Sequence, residues 1–256
     1  MKHILIGMAG TAAALWTTAA TAHDFFLMPQ KFEADAKSGA LIQATVGSSF
    51  PVAEIVVTAD RIDKTLANAP GKPQVHVMGT GEKSLNLHVA GAGDGLLVTG
   101  VSTKPRDVDY GEDRIPLILG EYRVAPDAVA AVNALPKPRN WQVVSRRFAK
   151  TFVCIDSCRD RSAAEKSMGA SLEFVGSSSG LDHFQLLAGG KPLANYPVDL
   201  VGSDGKRQHL STDAKGAVHL AAAARGTMML FAAKLEPPAG AARFTLDLTS
   251  LTFNRP

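Results

Sequence analysis

The sequence predicts an all-β protein built as two β-sandwich domains with one or two short helices. Three observations predict it. Short runs rich in Val, Ile, Leu, Thr and Phe recur along the chain, separated by clusters of Gly, Asn, Asp and Pro. Several of these runs alternate polar and apolar residues, as in Ser84-Leu85-Asn86-Leu87-His88-Val89, the pattern of a half-buried strand. Only one stretch, Pro126 to Leu135, carries helix signals, with proline in its first turn and Pro136 ending it.

Taken in order, the chain opens with a secretory signal. Lys2 is a short positive n-region, Ile4 to Trp16 is apolar, and Ala20-Thr21-Ala22 is a small-x-small cleavage pattern. Cleavage after Ala22 removes residues 1–22 and predicts a soluble periplasmic protein; no second apolar stretch is long enough to span a membrane. Candidate strands follow at Ala40–Val46, Ile55–Thr58, Gln74–Met78, Ser84–Val89 and Leu96–Ser102. A charged, small-residue stretch around Asp160–Ala170 then predicts a boundary between an N-terminal β domain, 23–165, and a C-terminal one, 166–256. The second half carries Ala170–Val175, Asp182–Leu187, Val198–Val201, Gln208–Thr212, Ala217–Leu220, Met228–Lys234 and Phe244–Phe253. So many short strands in so short a span predict a Greek-key sandwich of immunoglobulin-like (Ig-like) size.

Loss of Lys2 leaves the mature chain one charge below the full chain's formal +3. That balance, with no long basic block, gives no case for a nucleic-acid partner. Two cysteines, Cys154 and Cys158, are separated by a three-residue spacer. In an oxidising compartment such a pair forms a structural disulfide, and the alternative is a thiolate pair for a soft metal such as Cu(I).

His23 becomes the first mature residue. A free α-amine and a neutral imidazole on one residue can chelate a divalent transition metal. Asp24 beside it points to the opposite face of an extended segment. The further ligand candidates are His183, His209 and His219. His183 follows Asp182, a carboxylate able to fix its tautomer. His209 and His219 flank the Thr212–Gly216 turn, and a three-residue loop would set them opposite each other, whereas a two-residue loop would put them on opposite faces. His76 and His88 sit between aliphatics and read as solvent-facing strand positions. Met28, Met78, Met168, Met228 and Met229 read mainly as packing residues.

Two segments of the second half, Gly190-Lys191-Pro192-Leu193-Ala194 through Val198 and Thr212-Asp213-Ala214-Lys215-Gly216, look like a repeat of Ig-like and prealbumin-like domains. The glycine-bearing turn, strand and polar hairpin are legible in their own right, with Gly216 suited to positive φ. The opening Ala22-His23-Asp24-Phe25-Phe26-Leu27-Met28-Pro29 resembles that of a bacterial domain-of-unknown-function family, regarded as the Ig-like periplasmic component of cobalt or nickel uptake systems. Ser145-Arg146-Arg147-Phe148-Ala149-Lys150, Ala170-Ser171-Leu172-Glu173-Phe174-Val175 and Ser250-Leu251-Thr252-Phe253 fit the same pattern, while Phe26 stands where the family has tryptophan. The resemblance implies an exported two-domain β protein that binds or hands over a divalent metal, with the mature N-terminal histidine, His23 here, as the natural ligand. Nickel and cobalt are the favoured metals, copper is a third candidate, and an inner-membrane metal permease is the candidate partner.

Three function classes are compatible with these residues. The first is a non-catalytic metal-binding accessory to uptake or homeostasis, whose affinity falls below about pH 6 as protons compete for imidazole. The second is a metal-free Ig-like binding module for a protein or glycan; Trp141 is the only tryptophan of the mature chain, which disfavours a sugar platform. The third is an enzyme, since an N-terminal histidine also opens copper-dependent polysaccharide oxidases. No nucleophile elbow, zincin motif or phosphate-cradling loop accompanies it, so the expectation is a protein without catalysis.

Overall fold

The computed structural model describes residues 23–240 and 242–256; the expected signal segment, 1–22, lies outside the described residues. Eighteen strands make up most of the described residues. They are β1 (Asp24–Pro29), β2 (Glu33–Ala34), β3 (Ala40–Gly47), β4 (Ile55–Val56), β5 (Ile62–Asn68), β6 (Gly71–Thr80), β7 (Leu85–Ala92), β8 (Gly95–Thr103) and β9 (Arg106–Gly111). After two helices come β10 (Asn140–Ile155), β11 (Leu172–Ser177), β12 (Gly180–Ala188), β13 (Lys191–Pro192), β14 (Pro197–Gly202), β15 (Arg207–Ser211), β16 (Ala217–His219), β17 (Gly226–Glu236) and β18 (Phe244–Arg255). The protein is all-β, as the alternation predicts.

The strands form three sheets. A nine-stranded sheet runs β15-β14-β17-β18-β10-β8-β5, with β2 and β9 also paired to the long β10. A five-stranded sheet runs β1-β3-β7-β6, with β4 on β3, and a four-stranded one joins β11-β12-β13 with β16 on β12. The expected boundary at 165/166 falls inside this network, because β10 and β18 pair in parallel from Val143↔Phe244 to Thr151↔Thr252. One hydrophobic core likewise combines Leu96, Val98 and Phe152 with Phe174, Leu230 and Phe253.

The large sheet is covered on both faces, and β17 shows how the sequence encodes this. Met228, Leu230 and Ala232 pack in the core beneath the four-stranded sheet. Their neighbours Met229, Phe231 and Ala233 pack against the helices on the other face. A strand buried twice reads as a continuous apolar run, which is how Met228–Ala233 appears in the sequence. The five-stranded sheet covers more of the helix-side face, where Leu85, Leu87 and Val89 meet Ala149, Val153 and Ile155.

The described residues hold two α-helices, α1 (Ile115–Tyr122) and α2 (Pro126–Asn133), with proline in the first turn of each. The second matches the helix predicted from Pro126. The first ends at Arg123, which takes left-handed φ of 48°. Its Ile115, Ile118 and Tyr122 are buried against Phe231 and its neighbours, so tertiary packing sustains a segment whose sequence carries few helix signals.

Candidate functional site

His23 immediately precedes β1, with a half-exposed imidazole. Its carbonyl accepts a hydrogen bond from Arg147 Nη1 at 3.2 Å. Its Nε2 stands 4.0 Å from Glu54 Oε2. Glu54 itself accepts from the Ser48 hydroxyl at 2.7 Å and the Ser48 N–H at 2.9 Å. Those two bonds, helped by His23, hold its carboxyl below the usual value and keep it ionised.

Beside His23 opens a cleft of about 310 Å³. Phe25, Val46, Val57 and Val108 give it apolar walls, and Arg61, Arg106, Arg147, Tyr110 and Ser145 supply polar groups. Strand periodicity selects these residues. Arg106, Val108 and Tyr110 share one face of β9, whereas Asp107 and Asp109 face the other way and pair with Arg243. On β10, Ser145 and Arg147 face the cleft and Arg146 turns away to bond Asp247. Sequence reasoning passed over these arginines because charge on a strand reads as solvated surface; the period-two separation of Arg106 from Asp107 was the available signal.

Asp24 takes the opposite face to His23, as an extended segment requires. It is buried and pairs with Arg207. Burial outweighs the pull of Arg207 and raises its carboxyl to about 6. Arg207 also pairs with Asp199 at 3.2 Å, and Asp199 receives Arg123 at 2.6 Å and His209 Nδ1 at 2.8 Å. His209 is thereby tied to a carboxylate-arginine network.

The two loop alternatives for His209 and His219 both give way to a third arrangement. His209 sits in β15 opposite Asp199, in the nine-stranded sheet. The chain crosses to another sheet after the Asp213–Gly216 turn, and His219 in β16 pairs directly with His183 in β12. The His183 and His219 rings stand edge to face, 4.7 Å between centroids. Each has a carboxylate 3.6 Å away, Asp182 for His183 and Asp213 for His219. His76 and His88 are also cross-strand partners, with ring centroids 6.5 Å apart. Among the described residues, no three His, Cys, Asp or Glu side chains gather closely enough to hold a metal ion.

Cys154 and Cys158 are joined as a disulfide that closes a short loop at the end of β10. Trp141 is fully buried against Tyr110 and Phe244 and offers no exposed aromatic platform. Met228 and Met229 are core residues, whereas Met78 is largely exposed.

A family model described as a domain of unknown function, DUF4198, matches residues 20–235. The chain belongs to the DUF4198 family. No curated protein matches it, and no solved structure does. The DUF4198 match begins just before His23 and takes in the cleft residues, the His183–His219 pair and the disulfide. No helix among the described residues is long and apolar enough to cross a membrane.

Proposed function

We propose that the mature chain is an exported, non-catalytic periplasmic protein that binds a divalent transition metal at His23, as an accessory to metal uptake or homeostasis. Nickel and cobalt are the favoured cargoes and copper the third. The observation that carries the reading is the state of His23: solvent-accessible at the mouth of a cleft, with the Glu54 carboxylate beside its Nε2. Removal of residues 1–22 would free its amine. Amine and Nδ1 would then close a six-membered chelate ring on the metal. A carboxylate at Nε2 favours the proton there and leaves the Nδ1 lone pair for the metal. The donors available at His23 suit a chelate completed by ligands from outside the chain, which supports capture and release better than permanent storage. The recipient would be an inner-membrane metal permease.

The His183–His219 pair supports a second locus for the same activity, since two accessible imidazoles in direct register can share one ion. Calorimetric titration with Ni²⁺, Co²⁺, Cu²⁺ and Zn²⁺ tests both. The samples are protein beginning at His23, the same protein with one residue added before it, and His183→Ala/His219→Ala. Binding abolished by the extension supports the His23 chelate. Binding abolished by the double substitution moves the site to β12 and β16. No binding by any sample overturns the metal reading in favour of a metal-free binding module.

A further inference from the structure

The cleft beside His23 contains more cationic chemistry than a metal chelate requires. Three arginines, Arg61, Arg106 and Arg147, line it, and among the described residues no Asp or Glu does, the Glu54 carboxylate standing beside His23 at its mouth. The chain as a whole is nearly balanced, with 27 Lys and Arg against 24 Asp and Glu. Arg106 and Arg147 reach the cleft because of how β9 and β10 sort their charges, and Arg61 joins them from the turn just before β5. Asp107 and Asp109 are held on the far face by Arg243, and Asp247 on the far side of β10 by Arg146. Two of the cleft guanidinium groups are held by backbone carbonyls, Arg147 by His23 and Arg61 by Lys104 at 3.1 Å. A carbonyl fixes the position of a guanidinium without neutralising it, so its charge remains available to a ligand.

We propose that this cleft binds a small organic polycarboxylate, whose carboxylates are received by Arg61, Arg106 and Arg147 and whose nearest oxygens complete the coordination shell of a metal at His23. Guanidinium groups match carboxylates through paired, charge-assisted hydrogen bonds. The apolar wall of Phe25, Val46, Val57 and Val108 favours an organic anion with a hydrocarbon frame over inorganic phosphate. The volume of about 310 Å³ suits a molecule of metabolite size. The ligand also resolves the shortage of protein donors at His23, because the metal arrives with its own oxygens. The metal half of this inference rests on the function proposed above; the anion half stands on the cleft alone.

The test is calorimetry of protein beginning at His23 with citrate, with Ni²⁺, with the one-to-one Ni²⁺–citrate complex, and with inorganic phosphate. Arg61→Ala/Arg106→Ala is the comparison variant, since Arg106 is exposed and Arg61 only partly covered. Citrate binds the parent protein, the nickel complex binds more tightly than either component, and phosphate binds weakly. The variant loses citrate affinity by about tenfold or more while keeping its response to Ni²⁺ alone. Equal citrate affinity in parent and variant, or none in either, overturns the proposal; so does phosphate binding as tight as citrate. If Ni²⁺ alone still binds in those cases, the metal reading survives without the anion site. Arginine-dependent citrate binding without any response to Ni²⁺ upholds the anion site and removes the metal reading.

Discussion

Lys150→Met tests how the large sheet is joined to the four-stranded one. Lys150 lies in the middle of β10, and both it and Glu173 on β11 are fully buried. The Lys150 ammonium pairs with the Glu173 carboxylate and donates to the Phe174 carbonyl at 2.9 Å. Burial pushes the Glu173 carboxyl up, but Lys150 and the surrounding donors outweigh it and hold the group below its usual value. Removing one partner of a buried ion pair costs about 3–5 kcal/mol, because the other charge is left uncompensated. Glu173 would keep the Ser167 hydroxyl and the N–H groups of Met168 and Gly169 at 3.0 and 3.1 Å. The expected loss is therefore near the lower end, about 3 kcal/mol.

The dependence on pH has a defined sign. A carboxyl depressed in the folded state contributes stability above its unfolded value, about 4.5, and that contribution is lost as pH falls through the lower folded value. Without Lys150, burial is opposed only by the Ser167, Met168 and Gly169 donors, so the carboxyl rises and takes up a proton earlier on acidification. The deficit of the variant should be largest near pH 7 and shrink toward about pH 5. Urea unfolding followed by circular dichroism at both pH values measures it, with Lys150→Met/Glu173→Gln recovering part of the loss. A cost under about 1 kcal/mol at pH 7, or a deficit independent of pH, would refute the reasoning.

Three further predictions concern the same framework. Phe174→Ala empties a fully buried position between the sheets and should cost about 3–5 kcal/mol in the same unfolding assay. Gly216→Ala places a Cβ 2.9 Å from the Leu193 nitrogen at a φ of +74°, and should lower stability by about 1–3 kcal/mol. Cys154→Ser/Cys158→Ser opens a loop of sequence separation 4 and should lower stability by about 2 kcal/mol, with reductant leaving that variant unchanged while destabilising the parent.

Local chemistry made much of the fold legible. Leu85–Ala92 and Gly95–Thr103 alternate or run apolar as their burial demands, and Gly216 occupies the positive-φ position its turn motif implies. The long β10 was hidden by Arg146, Arg147 and Lys150, which resemble surface charge until Asp247 and Glu173 come into register beside them. No sequence spacing could have set His183 opposite His219, because their pairing depends on a chain crossing between sheets. The asymmetry of β9 was readable in Arg106-Asp107-Val108-Asp109-Tyr110. Its meaning required knowing that Arg243 neutralises one face and that β10 extends the other.

Anomalous diffraction at the nickel absorption edge, from crystals of Ni²⁺-loaded protein beginning at His23, tests the central claim most directly. A metal held as proposed gives its strongest peak about 2.1 Å from the His23 amine and Nδ1. A peak confined to the space between His183 and His219, or none at His23 in fully loaded crystals, would contradict it.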